Sequence, residues 1–441
     1  MSNASGTRAE IIHGAISALF LRGFGATLGF ILSVILGRLL GAEGLGIYFL
    51  ALSAASLASI IVRLGLDNAV LKFVAAEEAR DDRAAANSVL TSSLRIVFWI
   101  AAPTTIIICI TSPYIAKWVF STEEMTSDLF WMSLSILSFS SQMIISQALK
   151  GIRSISHAMI VAGVLHPLIA IAIVWPAVHI FGQQGGSLTY FISTTLTALI
   201  GWRLWQKNIG SVPLAKKPIY PRQKLLKSSK SLLTMMIVNG WVIPWAPLVL
   251  LGAWSSPEES GLFAASVRAV TIISLLLTAV NAAIAPHFSA LYAKKEHSKL
   301  ESTAGEFAFL VTAAAVPFLA LVIMKAEWLM HLFGAEFQDG AAALRILALG
   351  QVANVAAGSV GFLLIMTGNE DAARNNAILS AALLVVTGLI MIPEFGANGA
   401  AYAAVAAIVS ANILNSMSAW RRLKILPLTY GVQVLVRRLK A

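Results

Sequence analysis

The sequence predicts an all-α polytopic membrane protein: twelve transmembrane helices in two pseudo-symmetric six-helix lobes, with both termini cytoplasmic. Three observations predict it. Of 441 residues, 58% are hydrophobic and only 12% charged, more apolar surface than a soluble chain of this size can bury. Twelve apolar runs have the length needed to cross a bilayer. The basic residues also fall on one side when those runs are counted from an inside N-terminus.

The runs lie near 12–36, 45–66, 90–112, 128–149, 157–180, 186–206, 231–254, 262–285, 305–325, 341–366, 376–393 and 398–420. The first is too long for a signal peptide and lacks a small-residue cleavage site, so it reads as an uncleaved span. Of 32 Lys and Arg, 26 fall in inside segments and 4 outside, leaving Arg22 and Arg268 within spans. This positive-inside sorting accounts for the net charge of +11 without nucleic-acid binding. Tryptophans mark the ends: Trp118, Trp131, Trp175, Trp254 and Trp328 outside, Trp202, Trp205 and Trp420 inside. Trp99, Trp241 and Trp245 fall within spans and read as packing residues. The one cysteine, Cys109, lies in an apolar run and offers neither a disulfide framework nor a thiolate metal site.

The two halves echo each other. Phe181-Gly182-Gln183-Gln184-Gly185-Gly186 recurs as Phe395-Gly396-Ala397-Asn398-Gly399-Ala400, Gly46-Ile47-Tyr48 as Gly261-Leu262-Phe263, and Phe73 as Phe288. Leu39-Leu40-Gly41-Ala42 matches Leu250-Leu251-Gly252-Ala253, and Gly151 matches Gly368. Six spans per repeat make the repeats parallel, the plan of a rocking transporter with a cavity between lobes. The organisation expected is an N-terminal lobe at 1–206, a Pro-containing basic cytoplasmic linker at 207–230, a C-terminal lobe at 231–420 and a basic tail at 421–441 along the inner leaflet.

Arg22 stands about halfway along the stretch Ile11 to Leu40. A guanidinium at the centre of a span costs ~2.5–3.5 kcal/mol on insertion scales, so it calls for a wet cavity or an anionic ligand; snorkelling or bonding to helix carbonyls is the competing use. Ala15, Ala18, Gly25, Ala26, Gly29 and Ser33 share its side of the helix and form a small-residue stripe. Span eight carries Arg268, Thr271, Ser274, Thr278 and Asn281 as one polar stripe, which fits a cavity wall or interhelical hydrogen bonds worth ~0.6 kcal/mol each. Guanidinium suits phosphate because its planar fork makes bidentate, charge-assisted bonds. Arg22 and Arg268 are therefore the candidate anion-binding pair. Pro244 and Pro247, with Trp241 and Trp245, predict a kinked span seven that opens the cavity or is a static bend. Gln142, Gln147, Asn239, Gln351, Asn354, Asn412 and Asn415 fit interhelical bonding better than sugar binding. His166 fits a structural role better than proton coupling.

Residues 37–75, GRLLGAEGLGIYFLALSAASLASIIVRLGLDNAVLKFVA, resemble the corresponding segment of Wzx-type polysaccharide flippases. These belong to the superfamily of multidrug, oligosaccharidyl-lipid and polysaccharide transporters. The turn after span one, the Gly65-Leu66-Asp67 segment, the two Phe-Gly-x-x-Gly turns, Gly151 and Gly368 all carry the likeness, which covers nearly the whole chain. The resemblance implies translocation of an undecaprenyl-diphosphate-linked oligosaccharide from the inner to the outer leaflet of a bacterial cytoplasmic membrane, by alternating access. It implies membrane lipids as surroundings, a polysaccharide polymerase and glycosyltransferases as functional neighbours, and O-antigen or exopolysaccharide as product. Lipid II flippases of the superfamily line a cationic cavity with arginines from spans one, two and eight. Arg22 and Arg268 correspond to two of these, and Arg63 is the nearest match to the third, though it equally fits an interface anchor. Twelve spans rather than fourteen argue against a lipid II flippase itself.

Two other functions compete. A cation-coupled multidrug exporter of the same superfamily would be expected to place a carboxylate inside the membrane, whereas Asp67 and Asp128 stand at span ends. A membrane glycosyltransferase or polymerase would need paired catalytic carboxylates or a large loop domain, and no phosphate loop, metal spacing or nucleophile elbow is evident. A transporter without enzymatic chemistry or cofactor is expected, with coupling to an H⁺ or Na⁺ gradient compatible with the sequence.

Overall fold

The computed structural model describes residues 2–210, 220, 221, 225, 234 and 236–425, with side chains left out at 2–16, 272–283, 285 and 286. Most of the expected linker and tail therefore lies outside the described residues. Every element described is helical. Among the described residues, seven helices are long and apolar enough to cross a membrane: Ser17–Arg63, Arg83–Trp118, Met125–Gly151, Ile155–Ile209, His297–Met324, Ala335–Ala357 and Glu370–Leu423.

Two compact units divide the chain, Met1–Trp241 and Val242–Ala441. The division falls inside the seventh apolar run. Trp241, the last residue of the first unit, donates its indole N–H to the Ser53 carbonyl at 2.8 Å.

In the first unit, α1 (Ser2–Arg63) breaks at Gly41, whose φ of 72° is left-handed. Short α2 (Leu66–Glu78) leads to α3 (Arg83–Trp118) and α4 (Met125–Gly151). Then α5 (Ile155–Met159) runs through a π turn, Ile160–Val164, into α6 (Leu165–Phe181), and after a 3₁₀ turn α7 (Gly185–Ile209) returns. α4 is the hub. Its small polar residues allow close approach and bond in every direction: Ser140 to Ser59 on α1 at 2.9 Å, Ser133 to Cys109 on α3 at 2.9 Å, Ser138 to Thr194 on α7 at 3.0 Å.

A π turn, Val238–Val242, straddles the division of the chain after Trp241; the second unit then holds α8 (Ile243–Trp254), α9 (Pro257–Ala293) and α10 (His297–Met324). The π turn lies directly before Pro244, where proline withholds a ladder N–H. Next come α11 (Ala326–His331), α12 (Ala341–Ala357), α13 (Val360–Met366) and α14 (Glu370–Leu423), the last broken at Gly396. Its core gathers Phe288, Leu300, Val360, Leu363, Ala419 and Ile425.

The repeat is visible in the backbone of each unit. Left-handed residues at Asp81, Ser121, Arg153, Gly182 and Gly210 recur in order at Lys295, Gly334, Gly368, Gly396 and Lys424. A Cβ on Gly185 would collide with the Ala177 carbonyl, and one on Gly399 with the Met391 carbonyl. That close backbone approach explains the duplicated Phe-Gly-x-x-Gly turn, where only glycine fits. The structure also shifts one sequence match: Gly368 is equivalent by conformation to Arg153, not to Gly151, which is helical.

Candidate functional site: a cationic cavity in the first unit

The site is built on a contact between two backbones. At Gly25 of α1 a Cβ would lie 2.5 Å from the Gly163 carbonyl oxygen, so α1 and the π turn meet with no side chain between them. A π turn displaces carbonyls from the regular ladder and is enriched at functional sites. α4 stabilises the segment: Gln142 Nε2 donates to the Val161 carbonyl at 2.9 Å and Ser146 Oγ to the Ala158 carbonyl at 3.0 Å. Beside this contact opens a cavity of about 390 Å³, lined by Arg22, Lys150, Gly25, Met159, Ala162 and Gly163 among others.

Two cations share that cavity. Arg22 is exposed, and no carboxylate among the described residues lies within ion-pair distance of it. Lys150, in the last turn of α4, is repelled by Arg22 and attracted by Asp67. Asp67 is in turn committed to Arg63, Nη1 to Oδ1 at 2.9 Å, in a pair whose side chains are 10% and 8% exposed. The positive charge of Arg22 and Lys150 is thus left largely uncompensated around a space roomy enough for an anionic headgroup.

The level of Arg22 follows from helix lengths. Roughly 28 Å of helix separates Arg22 from the Gly41 break, and a similar length separates Lys150 from Trp131. Trp131 bonds Gln184 at 3.2 Å, and Gly44 lies against Gln183, so these markers share one end of the unit. Arg22 therefore stands level with the C-terminal turn of α4, a length of helix from the Gly41 break that equals about one hydrocarbon thickness.

Arg63 does not line this cavity. It is buried, bonds the Ser59 carbonyl at 3.1 Å, pairs with Asp67 and lies 5.9 Å from the Phe139 ring centroid. Arg268 belongs to the second unit, half-buried on α9 with its guanidinium 5.8 Å from the Trp245 ring centroid. Thr271 is exposed and donates to the Val267 carbonyl at 2.7 Å. The side chains of Ser274, Thr278 and Asn281 lie outside the described residues. Pro244 is exposed and Pro247 buried, one on each side of Trp245. Several polar span residues are bonded within the protein: Asn354 to Gln351 at 3.0 Å, Asn412 to Asn354 at 3.1 Å, Asn376 to Asn415 at 2.9 Å. His166 pairs with Ser193 at 2.8 Å. Lys150 was missed from sequence because a lysine at a span's inner end reads as an interfacial charge. Only the convergence of α1, α4 and the π turn reveals it.

This fold and its apolar helices define a multi-pass membrane protein. The chain belongs to the polysaccharide biosynthesis protein family, whose profile matches residues 11–292. That membership agrees with the flippase resemblance carried by residues 37–75. The chain is 22% identical over 241 residues to the probable low-salt glycan biosynthesis flippase Agl15 of Haloferax volcanii, covering 53% of this chain and 50% of that protein. The chain thus spans about half the length of that relative. It is 21% identical to the stage V sporulation protein B of Bacillus subtilis over 92% of this chain and 82% of that one. Among solved structures, the lipid II flippase MurJ in an inward closed conformation aligns with a TM-score of 0.73 at 14% identity, covering 97% of this chain and 93% of that one. An inward-facing multidrug-resistance transporter of the MATE family reaches 0.73 at 17% identity, covering 93% and 98%. Those likenesses establish the fold.

Proposed function

We propose that the protein is a flippase that moves a polyprenyl-diphosphate-linked oligosaccharide from the inner to the outer leaflet of a bacterial cytoplasmic membrane. The observation that carries this reading is the cavity holding Arg22 and Lys150 with no carboxylate among its described lining residues. Its charge selects an anion, and a phosphoryl group of the lipid-linked sugar is the anion the family membership supports. Arg22 supplies the planar fork and Lys150 a mobile point charge, while the Gly25–Gly163 contact forms a wall of main chain. Arg268 is proposed as a further cation for the same substrate, in its own unit.

The transmembrane count we propose is twelve. α1, the Ile155–Ile209 segment and α14 are each long enough for two crossings and are broken at Gly41, Gly182 and Gly396. Both termini are proposed to be cytoplasmic. Transport proceeds by alternating access without chemical change to the substrate, and an H⁺ or Na⁺ gradient is the energy source proposed. A polymerase and glycosyltransferases are the proposed partners in assembling the glycan.

The test is Arg22→Ala and Lys150→Ala in a host that depends on this gene for surface glycan. Export should fall at least tenfold in each, with lipid-linked oligosaccharide building up inside and the protein still in the membrane. Normal surface polysaccharide in both variants would overturn the reading. Active efflux of a cationic dye would transfer the protein to the drug-exporter class.

A further inference from the structure

The second unit carries a different kind of cavity. A groove of about 460 Å³ runs between α12 and the second arm of α14, walled by Ala353 and Ala357 on one side and Val409, Ile413, Met417 and Trp420 on the other. Alanines on α12 leave the space, and Ile413, Met417 and Trp420 are exposed. Asn412 and Ser416 are the polar residues in its lining, and the Asn412 amide is spent on Asn354 and on the Ile408 carbonyl. From Val409 to Trp420 the groove follows roughly 16 Å of helix, about half of a bilayer's hydrocarbon core and hence the depth of one leaflet.

The mouth of the groove is charged. After α14 the chain turns left-handed at Lys424, φ 59°, with its N–H on the Trp420 carbonyl at 3.0 Å. This folds the ammonium back to 5.2 Å from the Trp420 ring centroid. Arg422, two residues earlier, is neutralised by Asp371 at 2.9 and 3.0 Å, but no carboxylate among the described residues lies within ion-pair distance of Lys424. An apolar channel one leaflet deep, ending at an interfacial tryptophan and an uncompensated ammonium, matches an acyl chain carrying a phosphate at its top.

We propose that this groove binds one acyl chain of an anionic glycerophospholipid, with the phosphate diester at Lys424. The acyl chain gains little by leaving other lipid tails, so selectivity comes from the headgroup. One lysine near a membrane surface favours an anionic lipid about fivefold. The proposal rests on the chain spanning a membrane and is independent of what it transports.

The protein, purified in mild detergent, would be offered equal phosphatidylglycerol and phosphatidylcholine with a smaller amount of undecaprenyl phosphate, and retained lipids counted by native mass spectrometry. Phosphatidylglycerol should be retained about fivefold over phosphatidylcholine, and Lys424→Gln, at an exposed position, should abolish that preference. Ala357→Phe, which fills the groove, should remove one bound lipid; Ala353→Leu does the same if the first variant fails to fold. Equal retention of the two phospholipids, or a preference unchanged in Lys424→Gln, overturns the proposal. So does undecaprenyl phosphate occupying the position lost in the groove-filling variants.

Discussion

Arg22 and Lys150 repel one another across one cavity, with no carboxylate among its described lining residues. The nearby Arg63–Asp67 pair has the opposite character. It is buried and closed on itself, so removing one partner strands a charge. Arg63→Ala should therefore destabilise the protein by about 3 kcal/mol, with Asp67→Asn milder because it leaves a neutral group. Thermal unfolding of the detergent-solubilised variants, alone and combined, checks this. The double variant should lose less than the sum of the singles. Arg22 was legible in the sequence as a charge in an apolar run. Its depth was not, because a hydropathy run does not reveal how far a helix extends beyond its apolar part. Lys150 was illegible for the converse reason: at a helix end it is chemically ordinary, and its role depends on which helices stand beside it.

At the scale of the element, glycine and proline decide where helices meet and bend. Gly399→Ala should sharply lower the amount of folded protein, since the new methyl meets the Met391 carbonyl. Gly29→Ala on α1 meets nothing within 4 Å and should leave abundance unchanged or improved by up to about 1 kcal/mol of helix propensity. Quantifying each variant in isolated membranes separates the two cases. Pro244 follows the π turn Val238–Val242, and Pro244→Ala restores a ladder donor. That variant should accumulate normally yet transport more slowly, if the bend takes part in the cycle. Equal initial rates of glycan export would make the bend static. The prolines foretold a bend in span seven; the π turn at Ile160–Val164 did not announce itself in sequence, because α4, distant along the chain, bonds carbonyls in it and just before it.

For the whole molecule, the left-handed turns set out the topology as a series. Asp81, Arg153, Lys295 and Lys424 should lie on the inside, with Ser121 and Gln183 outside. In a Cys109→Ser background, cysteines at Ser121 and Gln183 should react with an impermeant maleimide in intact cells. Those at Asp81, Arg153, Lys295 and Lys424 should react only after permeabilisation. Any inside position labelled in intact cells removes the twelve-span count. The duplication was legible because its turn residues, Phe-Gly and Gly-Gly or Gly-Ala, are dictated by backbone conformation and so survive when side chains diverge. The cavities were not, since they lie at non-equivalent places in the repeat: one between α1, α4 and the π turn, the other between α12 and α14.

The bare peptide contact between Gly25 and Gly163 gives the Arg22 cavity a property that side-chain walls lack. A wall made of rotamers can adjust to its contents while the helices stay still. A wall made of main chain changes only when a helix moves, so the width of the cavity gauges the spacing of α1 and the π turn. Whatever anion prefers one width must shift that spacing by the same free energy with which the spacing favours the anion. Occupancy and helix position are then two readings of a single equilibrium.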